Sequence, residues 1–189
     1  MRDKPKGLHG KKPPIRACMV AYTYYEYDNR VARYSRALVS RGDLVDVFAL
    51  RQEGKSSFEH YEGVNLYRIQ KRTENESRNK LAYLLRLARF LFKSFWIITW
   101  RHLRYRYGII HVHSIPDFEV FAAIVPRALG AKVILDIHDL VPEYYCSKFN
   151  VSKESMVFRI LVAVERASIA FASHTIVAND IWRNRLILR

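Results

Sequence analysis

Six short β-prone runs interleaved with helical segments constrain this chain more than any other feature of it. They are I-R-A-C-M-V-A-Y at 15–22, L-V-D-V-F-A-L at 44–50, V-N-L-Y-R-I at 64–69, I-I-H-V-H at 109–113, K-V-I-L-D-I at 132–137 and H-T-I-V-A at 174–178. Runs this short and apolar fit strands covered on both faces, the situation of a parallel sheet. Between the first two, Asp28 can cap a helix in which Val31, Ala32, Tyr34, Ser35, Leu38 and Val39 recur at helical spacing until Gly42 stops it. Further helices are expected from Leu81 to about Tyr107, from Phe118 to Leu129 ahead of Gly130, after Ser152, and from Asn179 or Asp180 onward. The alternation predicts an α/β fold: a doubly wound, mostly parallel, Rossmann-like sheet with right-handed crossovers. With 189 residues, half of them hydrophobic, the chain can bury one core and is too short for two ordinary domains.

This order also predicts where a ligand binds. If the first three strands wind outward one way and the later ones the other, the first and fourth flank a switch point, and ligands sit beyond the carboxyl ends of the strands there. Three loops meet at that edge: from Thr23 to Arg30, from His113 to Asp117, and from His138 to Tyr145. Together they supply Tyr24, Tyr25, Asp28, Asn29, Arg30, Ser114, Asp117, His138, Asp139 and Glu143. Such a polar and aromatic set suits hydroxyl-rich ligands or phosphates. Each residue also has a plainer use: Asp28 and Asp117 as helix caps, the tyrosines as packing, His138 and Asp139 as loop caps. The convergence of three loops is what favours a site.

The chain carries 32 Lys and Arg against 18 Asp and Glu, a formal charge of +14. Such an excess attracts nucleic acid, anionic lipid or phosphorylated ligands without choosing among them. Part of it is local. Residues 1–14 hold Arg2, Lys4, Lys6, Lys11 and Lys12 and read as a flexible basic arm, with Pro and Gly where an export signal needs an apolar core. A charged linker spans 70–80. On the long helix, Arg86, Arg89, Lys93, Arg101 and Arg104 fall within roughly a third of the circumference at ~100° per residue. The remaining faces are Leu, Phe, Ile and Trp. Its internal charges argue against a membrane span, whereas a wide apolar surface beside a basic stripe suits packing on the sheet. It also suits contact with an anionic membrane surface through Leu81 to Tyr107, with Trp96 or Trp100 left for lipid. No RNP-type, KH-type or helix-turn-helix signature is present, so nucleic acid is not the expected partner. Cys18 and Cys146 match neither a disulfide framework nor a metal-ligand spacing; a reducing compartment and no metal site are expected.

Four segments taken together resemble a known family: Y-D-N-R-V-A-R-Y-S-R-A-L-V-S-R-G-D-L-V-D-V-F-A-L at 27–50, I-I-H-V-H-S-I-P-D-F at 109–118, G-A-K-V-I-L-D-I-H-D-L-V-P-E-Y-Y at 130–145, and H-T-I-V-A-N-D at 174–180. In this order they are similar to the N-terminal half of a family 4 glycosyltransferase of GT-B fold. The resemblance implies an acceptor-holding domain over 15–189 that faces a second domain holding a nucleotide-sugar donor. It implies transfer to a sugar or lipid-linked sugar acceptor with retention of configuration and without metal or other cofactor. His138 matches the family's catalytic histidine, and the loop from Thr23 to Arg30 matches the segment that approaches donor phosphates and acceptor. That loop departs from the glycine pair of many relatives, since Tyr24-Tyr25-Glu26-Tyr27 stands there. Without glycine the backbone cannot approach a phosphate as closely, and Arg30 is left to supply charge. The donor domain would follow Arg189, so this stretch alone is expected to be inactive. Its expected place is the cytoplasm, at the inner face of a membrane. The competing reading is a stand-alone basic module for nucleic acid or phosphorylated ligands. A flavodoxin-like nucleotide domain is weakened by the glycine-poor first loop.

Overall fold

A computed structural model describes residues 13–72 and 80–189. Nearly all of the basic arm and most of the charged linker lie outside the described residues. Strand β1 (Arg16–Ala21) leads through a 3-10 turn (Tyr25–Tyr27) into helix α1 (Asn29–Ser40) and strand β2 (Leu44–Arg51). Strands β3 (Phe58–Tyr61) and β4 (Val64–Lys71) precede the long helix α2 (Lys80–Tyr105) and strand β5 (Ile109–His113). A 3-10 segment (Asp117–Ala123), helix α3 (Ile124–Ala128), strand β6 (Lys132–Ile137), helix α4 (Val141–Phe149), helix α5 (Met156–Phe171), strand β7 (His174–Val177) and helix α6 (Asp180–Ile187) complete the order. Asp28 caps α1 as expected, one carboxylate oxygen accepting from the backbone N–H of Arg30 and of Val31 at 3.1 Å each.

One seven-stranded sheet runs β3-β4-β2-β1-β5-β6-β7. Every pairing is parallel except that of β3 with β4. The switch point therefore lies between β1 and β5, as the strand order predicted. Three local expectations are corrected. The antiparallel edge strand β3 was not expected; it turns back through Glu62 and Gly63, both at positive φ, a two-residue hairpin whose twist suits the flanking strands. The expected helix from Phe118 to Leu129 is α-helical only over Ile124–Ala128. Pro126 explains the break, because starting afresh at Ile124 puts it in a first turn where its missing N–H is not needed. The loop from His138 to Tyr145 stops at Leu140, since Pro142 fits the first turn of α4.

Each face of the sheet has its own core. Met19, Ala21, Val45, Val47, Ala49, Val64 and Leu66 meet Val31 and Ala32 of α1 on one side. On the other, Val20, Phe48, Leu50, Val112, Val133 and Leu135 meet Phe90 and Ile98 of α2 and the 3-10 segment. Into this second face is set a charge. Asp46, fully buried in β2, accepts from Tyr107 Oη at 2.7 Å, Asn65 Nδ2 at 2.8 Å, Arg101 at 2.9 Å and Arg16 at 3.2 Å. Burial opposes its ionisation, but the hydrogen bonds from Tyr107, Asn65 and Arg101 outweigh it and hold its pKa below the usual value. Arg101 is thus removed from the basic stripe expected on α2: it turns inward to Asp46 and lies over the Tyr67 ring.

Removing one partner of a buried ion pair leaves the other charge uncompensated and costs about 3–5 kcal/mol. Asp46→Ala is expected to lower stability by that order in urea denaturation. The contribution of Asp46 is present above its unfolded pKa, near ~4, and is lost as pH falls through its lower folded value. The variant should therefore lose part of the wild-type chain's acid sensitivity. A loss below about 1 kcal/mol would place this carboxylate in contact with water.

Candidate functional site

The carboxyl ends of β1, β5 and β6 open into a crevice formed by two adjoining cavities that share Asp28 and His138. The outer one, about 540 Å³, is lined by Tyr27, Asp28, Asn29, Arg30, Arg33 and His138. The inner one, about 200 Å³, adds Tyr22, Thr23, His113, Ser114 and Asp139. Together they reach the size of a small-molecule pocket. Because Asp28 already occupies two N–H groups at the start of α1, attraction for an anion there falls chiefly to the Arg30 and Arg33 side chains.

Beneath the crevice lies a column of polar rings on the α1 face. His111 and His113 alternate on β5, and Asp136 and His138 alternate along and just past β6, so the pleat points all four one way. Ring centroids are 4.1 Å apart for His111 and His113 and 5.7 Å for His113 and His138. Tyr34 of α1 covers His111 at 5.0 Å. Buried Asp136 faces His113 at 3.4 Å, His138 Nδ1 at 3.5 Å and Arg30 at 3.7 Å. Burial, and then His113, hold His111 down to about 3, so its ring is neutral at physiological pH.

Arg30 hydrogen-bonds Nδ1 of His138. A guanidinium can only donate, so in the neutral ring the proton resides on Nε2. That nitrogen is buried without a protein partner, a group left to be satisfied from the crevice. Ligand atoms of His111, His113 and Asp136 lie within 4.8 Å of one another and make the metal-like cluster among the described residues. A divalent ion there would meet the Arg30 guanidinium already facing Asp136, and like-charge repulsion opposes it.

Of the residues expected in the site, Asp28, Asn29, Arg30, Ser114, His138 and Asp139 line the crevice. Four do not line it. Tyr24 packs on the core with its hydroxyl donating to the Arg72 carbonyl, and Tyr25 is buried with its hydroxyl bonded to Ser35. Glu143 sits in α4 and pairs with Arg185 and Arg189 of the C-terminal segment. Asp117 lies below the crevice wall, accepting from Ser114 Oγ at 2.5 Å. Tyr27, Arg33, His113 and Asp136 were missed. For His113 and Asp136 the available signal was a polar residue at period two inside an apolar run.

Burial drives the Asp117 carboxyl up to about 7, against the hydrogen bond from Ser114. For an acid raised on folding, the stabilisation is full below the unfolded pKa near ~4 and is lost as pH rises through the folded value. Asp117→Asn keeps an acceptor for Ser114. It is expected to flatten this part of the stability profile between about pH 4 and 7 in denaturation at stepped pH. An unaltered profile would assign the carboxyl an ordinary pKa.

A Rossmann-like sheet of this order, with a polar crevice at its switch point, is an α/β fold of the class shared with GT-B neighbours. The chain belongs to the glycosyl transferase 4-like domain family, which matches residues 27–189. Sucrose-phosphate synthase from Thermosynechococcus elongatus shares the fold at TM-score 0.68 and 17% identity over 92% of this chain. This chain spans 45% of that one, about half its length. A shorter chain of the same synthase matches at TM-score 0.61 and 17% identity, covering 90% of this chain and 80% of the other. The glycotransferase of kitacinnamycin matches at 0.51 and 13% identity, covering 84% and 40%. No curated protein sequence matches this chain.

Proposed function

We infer that this chain is the acceptor-side half of a retaining glycosyltransferase of hexosyltransferase type. It would move a sugar from a nucleotide-sugar donor to a glycan or lipid-linked acceptor, at the cytoplasmic face of a membrane. The observation that supports this most is the meeting of Arg30 and His138 at one switch-point crevice in a member of this family. No cofactor enters this reading, because the nucleotide-sugar is a substrate. Residues 15–189 form the acceptor domain behind a basic arm at 1–14, and a donor-binding domain outside these residues completes the cleft.

The chemistry follows from the charges. Arg30 and Arg33 favour the donor's phosphates and the negative charge that grows on them as the sugar leaves. Nε2–H of His138, with Nδ1 held by Arg30, donates to a sugar hydroxyl or a departing oxygen. Asn29, Ser114 and Asp139 offer hydroxyl-matching groups around the acceptor, and Asp28 is occupied in holding the loop.

The test is His138→Ala in the full-length transferase, with turnover and thermal stability measured side by side. A polar or acid role is worth about two to four orders of magnitude in rate, while loss of a partly exposed loop side chain costs only about 0.5–1 kcal/mol. Near-normal turnover with a large loss of stability would make His138 a structural residue. The 189-residue chain alone is expected to show no transfer, and transfer by it would overturn the assignment to half an enzyme.

A further inference from the structure

Helix α2 buries Leu87, Phe90, Ser94, Ile98 and His102 against the sheet, and its opposite face is as apolar as its inner one. Phe92, Trp96 and Trp100 are 64%, 67% and 62% exposed, and Leu85 and Leu103 are exposed as well. At ~100° per residue these five fall within an arc of about 80°, and at 1.5 Å per residue they extend over roughly 27 Å. A single exposed leucine needs no explanation, but a stripe of this size, interrupted by Arg89, marks a contact surface.

A second feature adjoins the stripe. A cavity of about 340 Å³ is lined by Arg51, Lys71, Arg86, Arg89 and Lys93 with Ile69 and Gln70. Five cations thus line one hollow, and among the described residues that line it none is Asp or Glu. Lys93 Nζ donates to the Ile69 carbonyl at 3.0 Å, so the ammonium is held in the cavity wall. Burial, and then Arg89 and Arg51, lower its pKa. Cations gathered at such a density repel one another and are relieved by an anion.

We propose that the outer face of α2 docks on an anionic lipid surface, with Leu85, Phe92, Trp96, Trp100 and Leu103 entering the interface and the five-cation cavity receiving lipid phosphate. Charge complementarity selects this occupant. A second copy would bring another cavity of the same sign and another +14 of net charge. Nucleic acid would satisfy the cations but leave the leucines and phenylalanine without a partner. Tryptophans on an apolar face, with arginines beside it, match the headgroup region of a bilayer. No described helix is long and apolar enough to cross a membrane, so α2 lies along the surface. This inference does not depend on the sugar-transfer reading, because binding is measured without transfer.

The experiment is co-sedimentation of the 189-residue chain with vesicles of phosphatidylcholine alone and of equimolar phosphatidylcholine and phosphatidylglycerol, at low and high salt. Binding is expected only to the anionic vesicles and is expected to weaken with salt as screening shortens its range. Charge reversal of Lys71 or Arg89 should weaken binding by at least about fivefold for each cation removed. Trp96→Ser with Trp100→Ser should abolish most of it; both side chains are largely solvent-exposed, and unchanged circular dichroism confirms folding. Equal binding to neutral vesicles, or insensitivity to the cavity variants, overturns the phosphate assignment. Absence of vesicle binding overturns the proposal, whether the chain then self-associates in sedimentation velocity, binds RNA, or does neither.

Discussion

A carboxylate sealed inside the protein, Asp46, fixes how helix α2 lies on the sheet and where the chain re-enters it as β5. Its four partners come from β1, β4, α2 and the residue two before β5, so one side chain joins both sides of the switch point. A buried ion is tolerated only when its lone pairs are filled, and here two guanidinium groups, an amide and a phenol fill them. The node lies at the amino-terminal edge of the strands, with the crevice at the opposite edge. Rigidity at one end thus keeps the other end free for chemistry. The switch-point crevice and the outer face of α2 share this one anchor, since both depend on where α2 and β5 are held.

Much of the fold was legible because parallel strands covered on both faces announce themselves as unbroken apolar runs. The cap at Asp28 and the stop at Gly42 followed from local chemistry alone. The edge strand β3 was not legible. Its residues Phe58, His60 and Tyr61 are largely exposed, so no burial pattern was imposed on them, and the hairpin residue Glu62 adopts a conformation that its side chain does not advertise. Proline misled in two opposite ways. Pro126 interrupts a helix that periodicity made continuous, while Pro142 opens a helix that composition made look like a loop.

The site was legible as a place more than as a set of residues. His138, Arg30 and Asp28 were readable because they follow strand ends or start a helix. Tyr25 carried the same signal and went inward, because a 3-10 turn points its ring beneath α1 toward Ser35. Arg101 looked like part of a surface stripe, and only the position of Asp46 one layer below shows why it turns inward. His113 and Asp136 were concealed by lying inside strands, where polar residues are rare and their partners come from neighbouring strands.

The Tyr24-Tyr25-Glu26-Tyr27 loop has a restraint that lies outside the crevice. Arg68, a buried residue of β4, reaches Glu26 at 2.6 Å and Glu59 of β3 at 2.7 Å, tying the loop to the far edge of the sheet. With Tyr25 sunk beneath α1 as well, this wall is built before any ligand arrives. Its consequence is kinetic. Association with such a wall pays little ordering entropy, so its rate is set by diffusion and by the charge of Arg30 and Arg33. Any slow step in binding then belongs to elements other than this loop.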